Sequence, residues 1–378
     1  MTEHRPRILI FSLAYFPFVG GAEVAVKEIT DRLSEFDFEM ITANLDSRQK
    51  REENVGTVNV IRIGSGKISK YLFPYRAYRE ASRRHKMRPY DVVWAIMANQ
   101  AGVAGALFKK HFKAVPFLLT LQEGDDLNSL AYRLRLLVPK FFRVFKRADQ
   151  IQVISNYLGQ WARAMGAKCP IAVIPNGVDV GKFEARNSKH ETNSKSKIII
   201  TTSRLVKKNG VDTLIESLKF LPENVRLQIL GDGEERESLR LKVESLKLGE
   251  RVEFLGHVPP NQVLEYLNKA DIFIRPSRSE GLGNSFLEAM AAGLPTIGTP
   301  VGGIPDFLKE GETGSPRQQT GWLCEVDNPR SIADKVQYIL DPANVDLVVR
   351  VKEQAKRLVE EKYDWDTIAD RMGKLLIP

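Results

Sequence analysis

The sequence predicts an α/β protein made of two Rossmann-like, doubly wound parallel sheets, one in each half of the chain. Three observations predict it. The chain has 378 residues, more than one ordinary hydrophobic core serves, so length favours two domains. Short runs rich in β-branched and aromatic residues alternate throughout with segments of helical period, the pattern of parallel strands joined by covering helices. Residues 184–197, EARNSKHETNSKSK, are polar and lack any period, as a linker between the halves does.

The elements follow in order. In the first half, strands are expected near 7–12 (RILIFS), 38–44, 58–63, 91–97 (DVVWAIM), 116–121 (PFLLTL) and 150–154. Each is a short apolar run of the kind buried on both faces of a sheet. Helices are expected between them, for instance at 23–35, 99–112 and 155–165. In the second half, strands are expected near 197–203, 226–231, 252–255, 271–275, 295–298 and 322–325, with helices at 211–220, 234–247, 260–269, 285–292 and 328–340. The domain bounds are therefore 1–183, the linker 184–197, and 198–362. Two such sheets in tandem open a cleft outside the carboxyl ends of their strands, where ligands bind in this architecture.

Composition narrows the setting. No apolar run approaches the roughly 18 residues of a membrane span. The opening MTEHRPRILIFSLAYFPFVGGAE has basic residues before an apolar stretch, but Pro17 and Gly20-Gly21 interrupt it and no small-residue cleavage site follows, so it reads as a first strand and turn. Cys169 and Cys324 are the only cysteines and fall in different halves, which gives no disulfide framework and no zinc spacing and fits a reducing, cytoplasmic setting. The net charge is +9, and residues 1–180 carry all of it, with 27 lysines and arginines against 17 acids.

Four strand-to-helix turns hold the candidate chemistry. PFVGGAE places Gly20 and Gly21 after the first strand, before a helix whose amides point the same way; this is either a tight turn or a close approach to a ligand. TSRLVKKNG puts Arg204, Lys207 and Lys208 in the turn after the strand at 197–203, where cations suit a diphosphate or form a solvated basic loop. LQILGDGEE sets Gly231 and Gly233 at the next strand end, with Asp232 as a turn residue. SEGLGNSFLEAMA carries Glu280 in the turn and Glu288 one helical turn in. Gly281 and Gly283 clear the way for the amides of residues 283–286, Asn284 and Ser285 among them. Ser285-x-x-Glu288 is also a capping box, which would leave Glu288 a purely local role. Gly302-Gly303 forms another amide-rich turn. Cations, amide nests and two carboxylates at the turns of one sheet fit a diphosphate flanked by polyhydroxylated groups, the layout of a nucleotide sugar.

GGAE, IPNGVD at 174–179, SRL with the lysines at 203–208, EGLGNSFLEAMAAGLP at 280–295 and GGIPD at 302–306 together resemble the family-4, group 1 retaining glycosyltransferases, in order and over nearly the whole chain. The resemblance implies a GT-B fold, with acceptor bound by the N-terminal domain and donor by the C-terminal domain. It also implies a last helix at 363–378 crossing back to the first domain, and no cofactor or metal. It implies that Glu280 binds the transferred sugar and Glu288 the ribose, that Arg204 and Lys208 offset the diphosphate charge, and that Gly20 and Gly21 approach the diphosphate. Three departures stand out. Asn209-Gly210 replaces the usual Lys-Gly. Gln122 stands where the family often has a histidine. Residues 314–320 form an apparent insertion.

Retention is expected by front-face attack, with electrostatic support for the leaving diphosphate. The acceptor is expected to be a glycan or lipid-linked molecule. Residues 67–88 hold eight basic residues and one acid. Residues 133–147 hold six and none, with the apolar residues on one half of a wheel. Either a helix packed on the sheet or a segment at an anionic membrane face accounts for the latter. Nucleic acid is not expected as a partner, for no reading motif accompanies the charge. An epimerase acting on nucleotide sugars, or a non-catalytic sugar-binding protein, are the competing classes.

Overall fold

The structure, a computed structural model, describes residues 5–66, 69–124, 142–184, 196–311 and 318–377. The chain forms two compact units. One comprises Met1–Asn176 with Trp365–Pro378, the other Gly177–Asp364. The division falls at Asn176 and Asp364. The polar stretch 184–197, expected as the linker, lies almost wholly outside the described residues.

In the first unit, eight strands form one sheet: β1 (Arg7–Phe11), β2 (Asp37–Ala43), β3 (Glu52–Val55), β4 (Val58–Ile63), β5 (Val92–Ile96), β6 (Phe117–Leu121), β7 (Gln150–Val153) and β8 (Ile171–Val173). Their order is β3-β4-β2-β1-β5-β6-β7-β8. All pairs are parallel except β3 with β4. Every residue of β1, β5 and β6 is buried, as strands covered on both faces must be. Helices α1 (Gly21–Arg32), α2 (Ser69–Met87), α3 (Gln100–His111), α4 (Phe142–Arg147) and α5 (Asn156–Ala164) connect them. Local chemistry starts these helices. Asn99 accepts from the Ala101 amide at the head of α3, and Ser155 from that of Leu158 at the head of α5.

The second unit has a wholly parallel six-stranded sheet of β9 (Lys197–Thr202), β10 (Val225–Leu230), β11 (Val252–Gly256), β12 (Ile272–Arg275), β13 (Thr296–Gly298) and β14 (Trp322–Leu323). The order is β11-β10-β9-β12-β13-β14. Around it run α6 (Val180–Glu184), α7 (Val211–Ser217), α8 (Arg236–Ser245), α9 (Pro260–Leu267), α10 (Asn284–Ala291), α11 (Pro329–Leu340) and α12 (Val345–Lys362). The core is aliphatic, with Ile199, Leu227, Ile229, Ile272, Ile274 and Ile297 packed under Leu214, Ile332 and Val351. The last helix, α13 (Trp365–Leu376), belongs to the first unit. Its Ile368, Met372 and Leu376 join a core with Ile8, Ile29, Phe38 and Trp94, and Arg371 Nη2 donates to the Val173 carbonyl at 2.6 Å.

Several elements go beyond the sequence expectation. β3 is a four-residue edge strand reading EENV with alternating exposure, and β8 has three half-buried residues. β3 is not apolar enough to signal itself, and β8, although apolar, is only three residues long. α12 is a helix beyond the expected set, although it buries Val348, Val351, Ala355 and Val359 at helical spacing.

Strand order reverses between β9 and β12, so the turns after these two strands flank the switch point of the second sheet. The turns fit together through backbone. Gly302 lies at φ +57°, and a Cβ there would overlap the Glu280 carbonyl oxygen. The neighbouring Gly303 amide donates to that same oxygen at 3.2 Å. Gly302→Ala is expected to cost about 2 kcal/mol or more, from left-handed strain and the overlap together. Urea denaturation measures it, and a loss under ~0.5 kcal/mol would show that the turn relaxes freely.

Candidate active site

The candidate residues of the second unit gather around its switch point. Arg204 is exposed in the turn after β9, and its side chain takes no hydrogen bond or ion pair among the described residues; the same holds for the side chain of Lys207. Lys208 follows in a single 3₁₀ turn, Lys207–Asn209, whose carbonyls are held by Arg278 from the turn after β12. The Arg278 amide donates to the Lys208 carbonyl at 2.7 Å. Its guanidinium grips Asp212 with two bonds of 3.0 and 2.9 Å and reaches Asp327 at 2.6 Å. This two-pronged pair holds the Asp212 carboxyl below its ordinary range, though burial opposes the shift. Cations 207 and 208 are thereby set on a braced loop.

Glu280 is buried, with relative exposure of 9%. Its Oε1 accepts from the Gly281 amide at 3.0 Å, and its Oε2 pairs with the Arg275 guanidinium. Arg275 also donates to Asn209 Oδ1 at 2.9 Å and to Ser285 Oγ at 3.0 Å. Asn209 in turn donates to the Arg204 carbonyl at 2.5 Å. One hydrogen-bonded chain thus runs from the Arg204 turn through Asn209 and Arg275 to Glu280 and the start of α10. Arg275 and Arg278 were not found by sequence reasoning. The substituted Asn209, noted only as a departure, turns out to join two turns.

The capping box expected at Ser285 and Glu288 is not formed. Gly283, at φ 93°, is the N-cap of α10, and no side chain caps the helix. The Ser285 hydroxyl is taken by Arg275 instead, so a tertiary partner overrides the local pattern. The Glu288 carboxyl is left with no hydrogen-bond partner among the described residues. The residue as a whole is partly exposed, yet the protein around its carboxyl pushes its pKa up to about 7, against the pull of Arg275.

Gly231 sits at φ 139°, where a Cβ would overlap the Ser203 carbonyl oxygen, so this glycine lets the β10 turn close on the β9 turn. Together Arg204, Ser203, Gly231 and His257 line a cavity of about 360 Å³. Glu280, Glu288, Asn284 and Ser285 do not line that cavity and lie on the β12 side of the switch point.

Three candidates belong to the first unit. Gly20 is the N-cap of α1, and Glu23 Oε2 accepts its amide at 2.8 Å. A Cβ on Gly21 would meet nothing within 4 Å, so packing of this unit does not demand a glycine there. Gln122, just past β6, accepts from Asn176 Nδ2 at 3.2 Å. Beside it, buried Glu123 accepts the Ala98 amide at 2.7 Å. Of the basic segment 133–147, residues up to 141 lie outside the described part. In α4, Val144 and Phe145 are buried while Arg143 and Lys146 are exposed, which favours the packed-helix reading for that end. Most of the apparent insertion 314–320 also lies outside the described residues.

Two α/β units with these sheets are those of the GT-B glycosyltransferases. The structure of HepE from Anabaena in complex with UDP and glucose matches with a TM-score of 0.77 at 18% identity, covering 98% of this chain and 99% of that one. The pattern of the glycosyl transferases group 1 matches residues 182–365, and that of glycosyltransferase family 4 matches residues 19–182. The chain belongs to this family. The lipopolysaccharide core biosynthesis glycosyltransferase LpsE of Rhizobium meliloti is 28% identical over 94% of this chain and 96% of its own. The putative colanic acid biosynthesis glycosyltransferase WcaL of Escherichia coli is 29% identical over 73% of this chain and 68% of its own.

The raised Glu288 carboxyl has a consequence for stability. Its folded pKa lies above the ordinary 4.5, so the folded protein keeps a proton that the unfolded chain gives up first. The stability it carries is present below about pH 4.5 and is lost as pH rises toward 7. Glu288→Gln removes that loss. Without ligand, the variant is expected to gain up to ~3 kcal/mol on the wild type between pH 5 and pH 8. Urea denaturation at both pH values checks this, and parallel profiles would mean the carboxyl ionises unhindered.

Proposed function

We propose that this glycosyltransferase moves a sugar from a nucleotide diphosphate donor to an envelope glycan or lipid-linked acceptor, with retention of anomeric configuration. The observation that carries the reading is the hydrogen-bonded chain at the switch point. It sets the unpaired Arg204 side chain at one end and Glu280 at the other, with the partnerless Glu288 carboxyl one turn into α10. Arg204 and Lys208 face the diphosphate and offset the charge that grows on the leaving group. Glu288 accepts the ribose hydroxyls and Glu280 those of the transferred sugar, with Gly283, Asn284 and Ser285 supplying donors at a helix start. The cavity beside Arg204 and Gly231 takes the base of the nucleotide; its size suits a small-molecule site. The open position of Gly21 supports a ligand-facing role for Gly20 and Gly21, and Gln122 serves as a catalytic neighbour of the transferred sugar. No metal ion enters this scheme, and EDTA is expected to leave the rate unchanged.

The complex of HepE with UDP supports a nucleotide-linked donor, and the envelope roles in the names of LpsE and WcaL support the acceptor class. A thermal-shift screen across UDP-, GDP- and ADP-sugars identifies the donor, and product NMR reads the anomeric configuration. Glu280→Gln and Arg204→Ala are each expected to lower transfer by about 100-fold or more, the scale of one preorganised charge-stabilising group. Near-normal turnover in both would remove these roles. Inverted product would remove retention.

The acceptor reading includes a membrane face on α2. Tyr71, Leu72 and Tyr75 are exposed at one end of this helix, with Arg76, Arg79 and Lys86 on the same side and without ion pairs among the described residues. No helix among the described residues is long and apolar enough to cross a membrane. Amphipathic aromatics beside cations suit the interface of an anionic leaflet, where each charge adds ~1 kcal/mol. Flotation is expected with phosphatidylglycerol vesicles at low salt and not with phosphatidylcholine alone. The triple variant Tyr71→Ser, Leu72→Ser, Tyr75→Ser is expected to stay in the dense fraction. Equal flotation of variant and wild type would remove α2 from the contact.

A further inference from the structure

Arg275 is the last residue of β12, and no sequence motif marks it. Its side chain is nearly enclosed, with relative exposure of 12%. The guanidinium meets three elements at once. Nη2 donates to Asn209 Oδ1 in the β9 turn and to Glu280 Oε2 in the β12 turn, and Nη1 donates to Ser285 Oγ in the first turn of α10. A guanidinium is a rigid planar fork, so three acceptors bound to it are fixed relative to one another. Nε is buried without a hydrogen-bond partner, so the group is held for its other contacts at the cost of one unmet donor.

The effect on Glu280 is specific. Its carboxylate is anchored at both oxygens, Oε1 by the Gly281 amide and Oε2 by Arg275. A carboxylate offers about four lone-pair directions, so two stay open for hydroxyl donors in a fixed orientation. Ser285 is affected too. Because its oxygen accepts from Arg275, its own proton is left for a further acceptor, and none among the described residues takes it.

We infer that Arg275 is a positioning residue for glycosyl transfer: without touching the donor, it locks the Glu280 carboxylate in the orientation that receives the hydroxyls of the transferred sugar. This rests on the reading of the site as a nucleotide-sugar site. Glu280 without Arg275 keeps one anchor and can turn about its side-chain bonds, which misplaces the acceptors at the reacting sugar and leaves the nucleotide end in place. A misplacement of about 1 Å at such a position costs on the order of 100-fold in rate.

The experiment compares wild type, Arg275→Met, Arg275→Lys, Glu280→Gln and the double variant Arg275→Met, Glu280→Gln. The probes are UDP and GDP for binding, and UDP-glucose and GDP-mannose for donor hydrolysis. In Arg275→Met, kcat is expected to fall about 100-fold while nucleotide affinity stays within about threefold. Arg275→Lys is expected to recover no more than about tenfold of the loss, because a point charge cannot bridge three acceptors. The double variant is expected to be no slower than Glu280→Gln alone, the signature of two residues acting as one unit. Wild-type kcat in Arg275→Met, or a double variant slowed by the product of the two single losses, overturns the inference. So does a parallel fall of nucleotide affinity, kcat and Tm, which would make Arg275 a fold residue only. If Arg275→Met does not fold, Arg275→Lys alone and with Glu280→Gln answers the same question. A wild type that binds neither nucleotide and hydrolyses neither donor defeats the transferase reading itself, and this role with it.

Discussion

The second unit depends on how closely its strand-end turns approach one another. A parallel sheet sends all its outgoing turns to one edge, and at the switch point these turns have no intervening helix to separate them. On either side of the switch point, neighbouring turns touch backbone to backbone. Ser203 carbonyl faces Gly231, and Glu280 carbonyl faces Gly302 and accepts the Gly303 amide. Side chains are excluded from these seams, so the polar groups that remain are pushed to the mouth of the site. Buried polar groups there must satisfy each other, and the Asn209, Arg275, Glu280 chain is how they do so.

This arrangement accounts for a division of labour among the charged residues. Arg275 and Arg278 spend their donors inside the protein, on Asn209, Ser285, Glu280, Asp212 and Asp327. Arg204 and Lys207 spend none among the described residues. The inner pair supplies rigidity and the outer pair supplies available charge. Catalytic electrostatics require that separation, because a group already aimed needs no reorganisation when charge develops. Glu288 is the complementary case, a carboxyl whose surroundings resist ionisation and for which the pull of Arg275 compensates only in part.

Much of this was legible from the residues. Strands such as RILIF and FLLTL are apolar on both faces, and the pattern of their spacing carries the fold class without help from tertiary contacts. The turns that bear Arg204 and Glu280 could be placed because they follow such strands. What stayed hidden depends on distance in the sequence. Arg275 acts on Asn209, 66 positions away, and a charged residue closing a strand says nothing of where it points. Ser285 and Glu288 display a capping pattern that is locally sound and is overruled by that same arginine. β3 escaped notice because an edge strand exposed on one face, with charges in it, carries no apolar signal.

The placement of α13 bears on how the polypeptide acquires its shape. The helix is translated after all of the second unit, yet its Ile368, Met372 and Leu376 fill the core of the first. The first sheet therefore emerges early and waits, with an apolar flank on α1 uncovered, until α13 has been made. Such a long-range closing contact slows assembly and leaves a sticky intermediate in the interval. The second unit, continuous from Gly177 to Asp364, faces no such delay and can be complete while its predecessor is still unfinished.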